Sequence, residues 1–152
     1  MQNLTIDTGM KEYLINNRAV LRFNPSDPNL YHRFFAAAQK LDALDAELTE
    51  QLKALPAKPD DARAERGLAL LTDYDHRIKA LLTEIFGDEN DFDKVLEGVN
   101  LAGTGANGKR VVQNLLDALT PILQDGAAQH LQTAAANARA EADAARAARE
   151  QA

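Results

Sequence analysis

Residues 19–34, Ala19-Val20-Leu21-Arg22-Phe23-Asn24-Pro25-Ser26-Asp27-Pro28-Asn29-Leu30-Tyr31-His32-Arg33-Phe34, contain the change from strand-like to helical sequence that decides the fold. Up to Phe23 the composition is that of a strand. Then Asp27 offers a carboxylate to the orphan amides of a helix, and Pro28, already fixed near helical φ, supplies its first residue. Downstream, Leu30, Phe34, Ala37, Leu41, Leu44, Leu48, Leu52 and Leu55 recur at spacings of three and four, which places them on one stripe of a long helix. That helix is expected over 27–55, ending before Pro56.

Working back from Ala19, the run Glu12-Tyr13-Leu14-Ile15 is a second strand candidate. Asn16-Asn17 lies between the two, and Asn tolerates the positive φ of a tight hairpin turn. Leu4-Thr5-Ile6 has similar composition, so residues 1–24 predict a β-hairpin or a three-strand ribbon. An isolated hairpin is marginal in water and has to pack on a helix or pair with another chain's sheet edge.

Working forward, Pro56-Ala57-Lys58-Pro59 breaks the first helix, and Asp60 or Asp61 can cap a second over 60–86, with Leu68, Leu71, Ile78, Leu81 and Ile85 as its stripe. The two arms predict a helical hairpin. Gly87 closes the second arm. An acidic turn follows, then a short amphipathic piece with Phe92, Val95, Leu96 and Val99. Leu101 to Gly108 reads as a loop. A third major helix is expected over 109–132 with Val112, Leu115, Leu116, Leu119, Ile122 and Leu123 on its inner face and Pro121 bending it. Residues 133–152 are Ala-rich with interspersed charges, giving high helix propensity and almost nothing to bury, so a frayed helical tail or an arm ordered by a partner is expected. The fold class is α+β, mainly α: a hairpin packed on a three-helix bundle, with 1–132 as one domain.

A chain of 152 residues suits one domain with a real core, built mainly from Leu, Ala, Val and Ile because aromatics are 5% and Trp is absent. The 17 basic against 23 acidic residues leave a net charge of −6, a field that repels nucleic acid and gives no reason to expect an anionic membrane as partner. Absence of Cys excludes disulfides, thiolate nucleophiles and sulfur-based zinc sites. No stretch approaches the roughly 20 apolar residues of a membrane span, and Met1 to Gly9 lack a signal-peptide pattern, so a cytoplasmic protein is expected.

Chemistry-bearing motifs are weak. Gly103-Thr104-Gly105-Ala106-Asn107-Gly108-Lys109-Arg110 fits seven places of the phosphate-binding loop, but Arg110 stands where a hydroxyl should hold magnesium. Asp7-Thr8-Gly9 matches the aspartic protease triplet in a chain that is otherwise helical. Asp88-Glu89-Asn90-Asp91-Phe92-Asp93 lacks the Gly and the closing Glu of a calcium loop. His32, His76 and His130 have no ligand-spaced neighbours, and Ser26 lies in no nucleophile elbow. No catalytic residue, metal or cofactor is expected. Binding to other proteins is, and Tyr13, Leu21, Phe23, Tyr31 and Phe34 are the candidate contact residues, because aromatic and apolar anchors dominate interface energetics. Self-association is an open option.

The stretch Leu4-Thr5-Ile6-Asp7-Thr8-Gly9-Met10-Lys11-Glu12-Tyr13, then Val20-Leu21-Arg22-Phe23-Asn24-Pro25-Ser26-Asp27-Pro28-Asn29-Leu30-Tyr31, resembles short proteins encoded in the tail modules of phages and prophages of Gram-positive bacteria. Glu84-Ile85-Phe86-Gly87, Val99-Asn100-Leu101 and Asn107-Gly108-Lys109-Arg110-Val111 are similar too, so the likeness spans about residues 4–125 and leaves out the Ala-rich end. The resemblance implies a tail assembly chaperone in the host cytoplasm that binds the helical tape measure protein and helps tail tube subunits gather around it. Its alternative is a structural virion component, a tail or head-to-tail subunit forming rings. Neither carries a catalytic residue over to this sequence.

Overall fold

The computed structural model describes residues 1–57 and 61–151. Strands β1 (Lys11–Ile15) and β2 (Ala19–Phe23) form an antiparallel pair, followed by α1 (Pro28–Lys53), α2 (Asp61–Phe86), the single-turn α3 (Phe92–Val95) and α4 (Val111–Glu150). The molecule is mainly helical with an N-terminal hairpin, as the sequence predicts. Among the described residues no helix is long and apolar enough to cross a membrane.

Local chemistry explains each boundary. Asn16 and Asn17 both take positive φ, 52° and 61°, and the Arg18 amide donates to the Ile15 carbonyl, closing the turn. Asp27 accepts the Asn29 amide at 2.9 Å and Pro28 opens α1. The helix ends at Lys53, two residues before the expected Leu55. Lys58, Pro59 and Asp60 fall outside the described residues, and with them the expected capping of α2 by Asp60 or Asp61.

Three expectations need correction. Leu4-Thr5-Ile6 is not a strand: residues 1–10 pair with nothing, and Leu4 and Ile6 are 85% and 74% exposed. In α2, Leu68 is exposed; Ile78 and Ile85 of the expected stripe are buried, and so are Tyr74 and Leu82, which the stripe did not include. The third helix does not end at residue 132: α4 runs unbroken through Pro121 to Glu150, and the Ala-rich stretch has the helical form expected of it. Every residue from Ala128 to Gln151 is nevertheless exposed.

α1 and α2 lie antiparallel, as cross-links at both ends require: Arg33 near the start of α1 donates to the Ile85 carbonyl near the end of α2, while Gln51 meets the Tyr74 hydroxyl. One core cluster runs from Leu21 and Phe23 of the hairpin through Leu30, Phe34 and Leu48 of α1 and Leu82 of α2 to Leu119 and Leu123 of α4. Gly126 is where α4 comes closest to the chain entering α1. A Cβ there would sit 2.0 Å from the Pro25 carbonyl oxygen.

Candidate protein-contact surfaces

Seven of the eight aromatic residues, all but Tyr74, converge on one seam. Tyr13 stacks on Phe23 at 4.8 Å, Phe23 meets Phe86 edge-on at 5.2 Å, and Phe86 contacts Phe92 at 5.8 Å and Phe34 at 6.5 Å. Phe35 joins Phe34 at 5.1 Å and Tyr31 at 4.6 Å. Offset and edge-on ring pairs of this kind add to the burial of their area. Of the five candidate contact residues, Leu21, Phe23 and Phe34 are therefore buried in the monomer and offer no surface to a partner. Their apolar character serves the join between hairpin and helices. Tyr13 and Tyr31 are half-buried, and burial pushes the Tyr13 hydroxyl above its ordinary pKa.

Beside Tyr13 the surface opens into an apolar cleft of about 440 Å³ between β1 and α4, walled by Tyr13, Leu14 and Ile15 on one side and Val111, Leu115, Ala118, Leu119 and Ile122 on the other, with Leu96 at its base. The strand bordering it is unpaired on that side. Arg22 turns its backbone outward from β2, where Asn90 accepts its N–H and donates to its C=O, each at 2.8 Å. Its cross-strand partner Glu12 must then face outward from β1, by the alternation of antiparallel ladders, and so must Leu14. No other backbone of the described chain bonds to them there. One edge of the hairpin is thus covered by a side chain and the other is free.

The glycine-rich loop is built for rigidity. Asn100 accepts the amides of Ala102 and Gly103 and donates to the Leu71 carbonyl, pinning the loop to α2. The Gly105 amide donates to Lys109, that of Gly108 to Gly105, and the first two amides of α4, Val111 and Val112, donate to Gly103 and Leu101. A phosphate cradle needs such amides pointing at the ligand, and those of Gly105, Gly108, Lys109, Val111 and Val112 are occupied. Arg110, the residue that breaks the phosphate-loop pattern, holds Asp45 and the Thr49 hydroxyl of α1 and the Ala102 carbonyl in one fork. Lys109 lies exposed beside Asp117.

Under the loop, buried Asp75 accepts the Leu101 amide at 2.7 Å and pairs with Lys79, which also reaches Asp93, both at 2.8 Å. Burial alone would lower the Lys79 pKa, but the hydrogen bonds and charges of Asp75 and Asp93 outweigh it and hold the ammonium above its ordinary range. The hydrogen bond and charge of Lys79 hold the exposed Asp93 below the usual carboxylate range. Asp91, in the acidic turn, caps α3 by accepting the Asp93 amide. His32, His76 and His130 are exposed and separate, Asp7 accepts the Gly9 amide in an exposed turn, and no group of three or more potential metal ligands occurs among the described residues.

Taken together, the fold and these surfaces define a small, mainly helical α+β protein with a half-covered hairpin, an apolar cleft beside it, and a helical arm whose described residues are all exposed. Comparison with protein-family models, with curated proteins and with solved structures finds no match.

Proposed function

We propose that the protein is a non-enzymatic phage tail assembly factor, a chaperone that binds tape measure or tail tube protein in the cytoplasm of the bacterial host. The resemblance over residues 4–125 supplies the partner class. The observation that carries a binding role is the outer half of α4, where residues 128–150 hold helical form with every side chain exposed. Helices draw most of their stability from packing, and this one has propensity alone. A long helical partner laid against it would supply that packing, and the alanines let two backbones approach closely. A structural role in the particle is the second reading. The free outer edge of β1 favours it, because strand edges are the usual route to repeated side-by-side contacts.

The test is capture from phage-infected or prophage-induced cells with the tagged full chain and with a chain truncated after Thr133. Tape measure or tube protein is expected with the full chain and much less with the truncated one. Capture of neither by the full chain, with both soluble, overturns the assembly role. Mass spectrometry of purified particles separates the readings: a chaperone is absent from them and a structural subunit is present in stoichiometric amount.

A further inference from the structure

The N-terminal ten residues are exposed throughout, yet they are not polar. Leu4, Ile6 and Met10 are 85%, 74% and 39% exposed, a cluster of exposed large apolar side chains that no other stretch of ten described residues matches. Leu4 and Ile6 alternate with Thr5 and Asp7, the two-residue period of a strand with one face to bury. A few residues on, β1 presents an unpaired edge at Glu12 and Leu14 and, beside that edge, the apolar cleft closed by Leu115, Leu119 and Ile122 of α4. The molecule thus carries a segment with strand patterning but no sheet, and a sheet edge without a strand.

We infer that the arm formed by residues 2–7 adds as a strand to the free edge of β1 in a second copy of the chain, with Leu4 and Ile6 entering the cleft. Its own β1 is out of reach. The Thr8 carbonyl accepts from Asn24 Nδ2 at 2.8 Å, on the β2 side, and Asp7 accepts the Gly9 amide in the turn that follows, so the chain runs on past the hairpin instead of folding back along β1. Antiparallel addition with Thr5 opposite Glu12 and Asn3 opposite Leu14 uses the outward-facing backbone groups of β1. It turns Leu4 and Ile6 to the face that carries Tyr13 and Ile15. Given reciprocally, the exchange closes a two-fold pair; passed on from copy to copy, it closes a ring. This inference does not depend on the tail-assembly reading.

Sedimentation velocity of the full chain between about 1 and 100 μM tests it, beside the double variant Leu4→Asp/Ile6→Asp. Both residues are solvated in the monomer, so the variant keeps the fold. The expected result is concentration-dependent self-association of the native chain, weakened about tenfold or more by the double substitution. Hydrogen exchange gives the location: the Glu12 and Leu14 amides slow as the native chain is concentrated and do not in the variant. Leu14→Pro, which removes an outward N–H while sparing the β1–β2 ladder, is expected to abolish association as well. A chain that stays monomeric throughout the range overturns the inference. So does self-association that the double variant leaves intact.

Discussion

Asn90 donates from Nδ2 to the carbonyls of Arg22 and Phe86 and accepts the Arg22 amide at Oδ1, so one buried side chain stands in for a third strand at the outer edge of β2. Asn90→Asp keeps the shape and the acceptor but loses both donated bonds, and it puts a charge where burial is nearly complete. Unmet buried groups cost about 1–3 kcal/mol. Thermal or urea unfolding is therefore expected to show Asn90→Asp destabilised by at least as much as Asn90→Ala, and equal stability of Asp and Asn would show that the donated bonds contribute nothing. Asn90 was legible in the sequence only as part of an acidic turn, since its partner lies 68 residues away. The same holds for Asp75, whose amide partner is 26 residues on, and for Arg110, which sequence spacing marks only as a broken motif. Asp27 and the Asn16-Asn17 turn were legible because their partners lie within three residues.

At the level of elements, periodicity finds the long helices and the buried faces of α1 and α4, and misjudges part of the face of α2. In α2, Leu68 fits the spacing but lies near the α1–α2 connection and is exposed, while Tyr74 and Leu82, further along α2, are buried. Which turn of a stripe is covered depends on the third layer, and that is not written in the stripe. Gly126 shows the converse. A glycine inside a helix is a local weakness of about 0.5–1 kcal/mol relative to Ala, yet here it lets α4 rest against the Pro25 backbone. Gly126→Ala trades better propensity for a Cβ at 2.0 Å from a carbonyl oxygen that cannot swing aside. The expected sign is destabilisation, by about 1–3 kcal/mol for overpacking, readable in the denaturation midpoint. A stabilised Gly126→Ala variant would mean that α4 does not sit against Pro25.

Across the whole molecule, burial and availability separate the candidate contact residues. The sequence marks aromatic and apolar positions near the hairpin as valuable without distinguishing a core anchor from a surface anchor, because the same residue types serve both. The described chain uses Leu21, Phe23 and Phe34 internally and leaves exposed the N-terminal arm, the outer edge of β1 and the outer part of α4. For α4 the consequence is thermodynamic. Core cluster residues end at Leu123, so the helix beyond Ala127 shares no buried surface with the rest and unfolds independently of it. Truncation after Thr133 is expected to change stability by no more than about 0.5 kcal/mol, hence the midpoint temperature by about 2 °C or less. Far-UV circular dichroism should lose helical signal over residues 134–150 in proportion to how fully the free arm is formed, and that loss should melt out well below the main transition in the intact chain. A drop of more than about 5 °C in the main transition would instead place the arm against the core or against another copy. The arm's helicity would then come from packing, and the case for an unfilled partner site on α4 would fall.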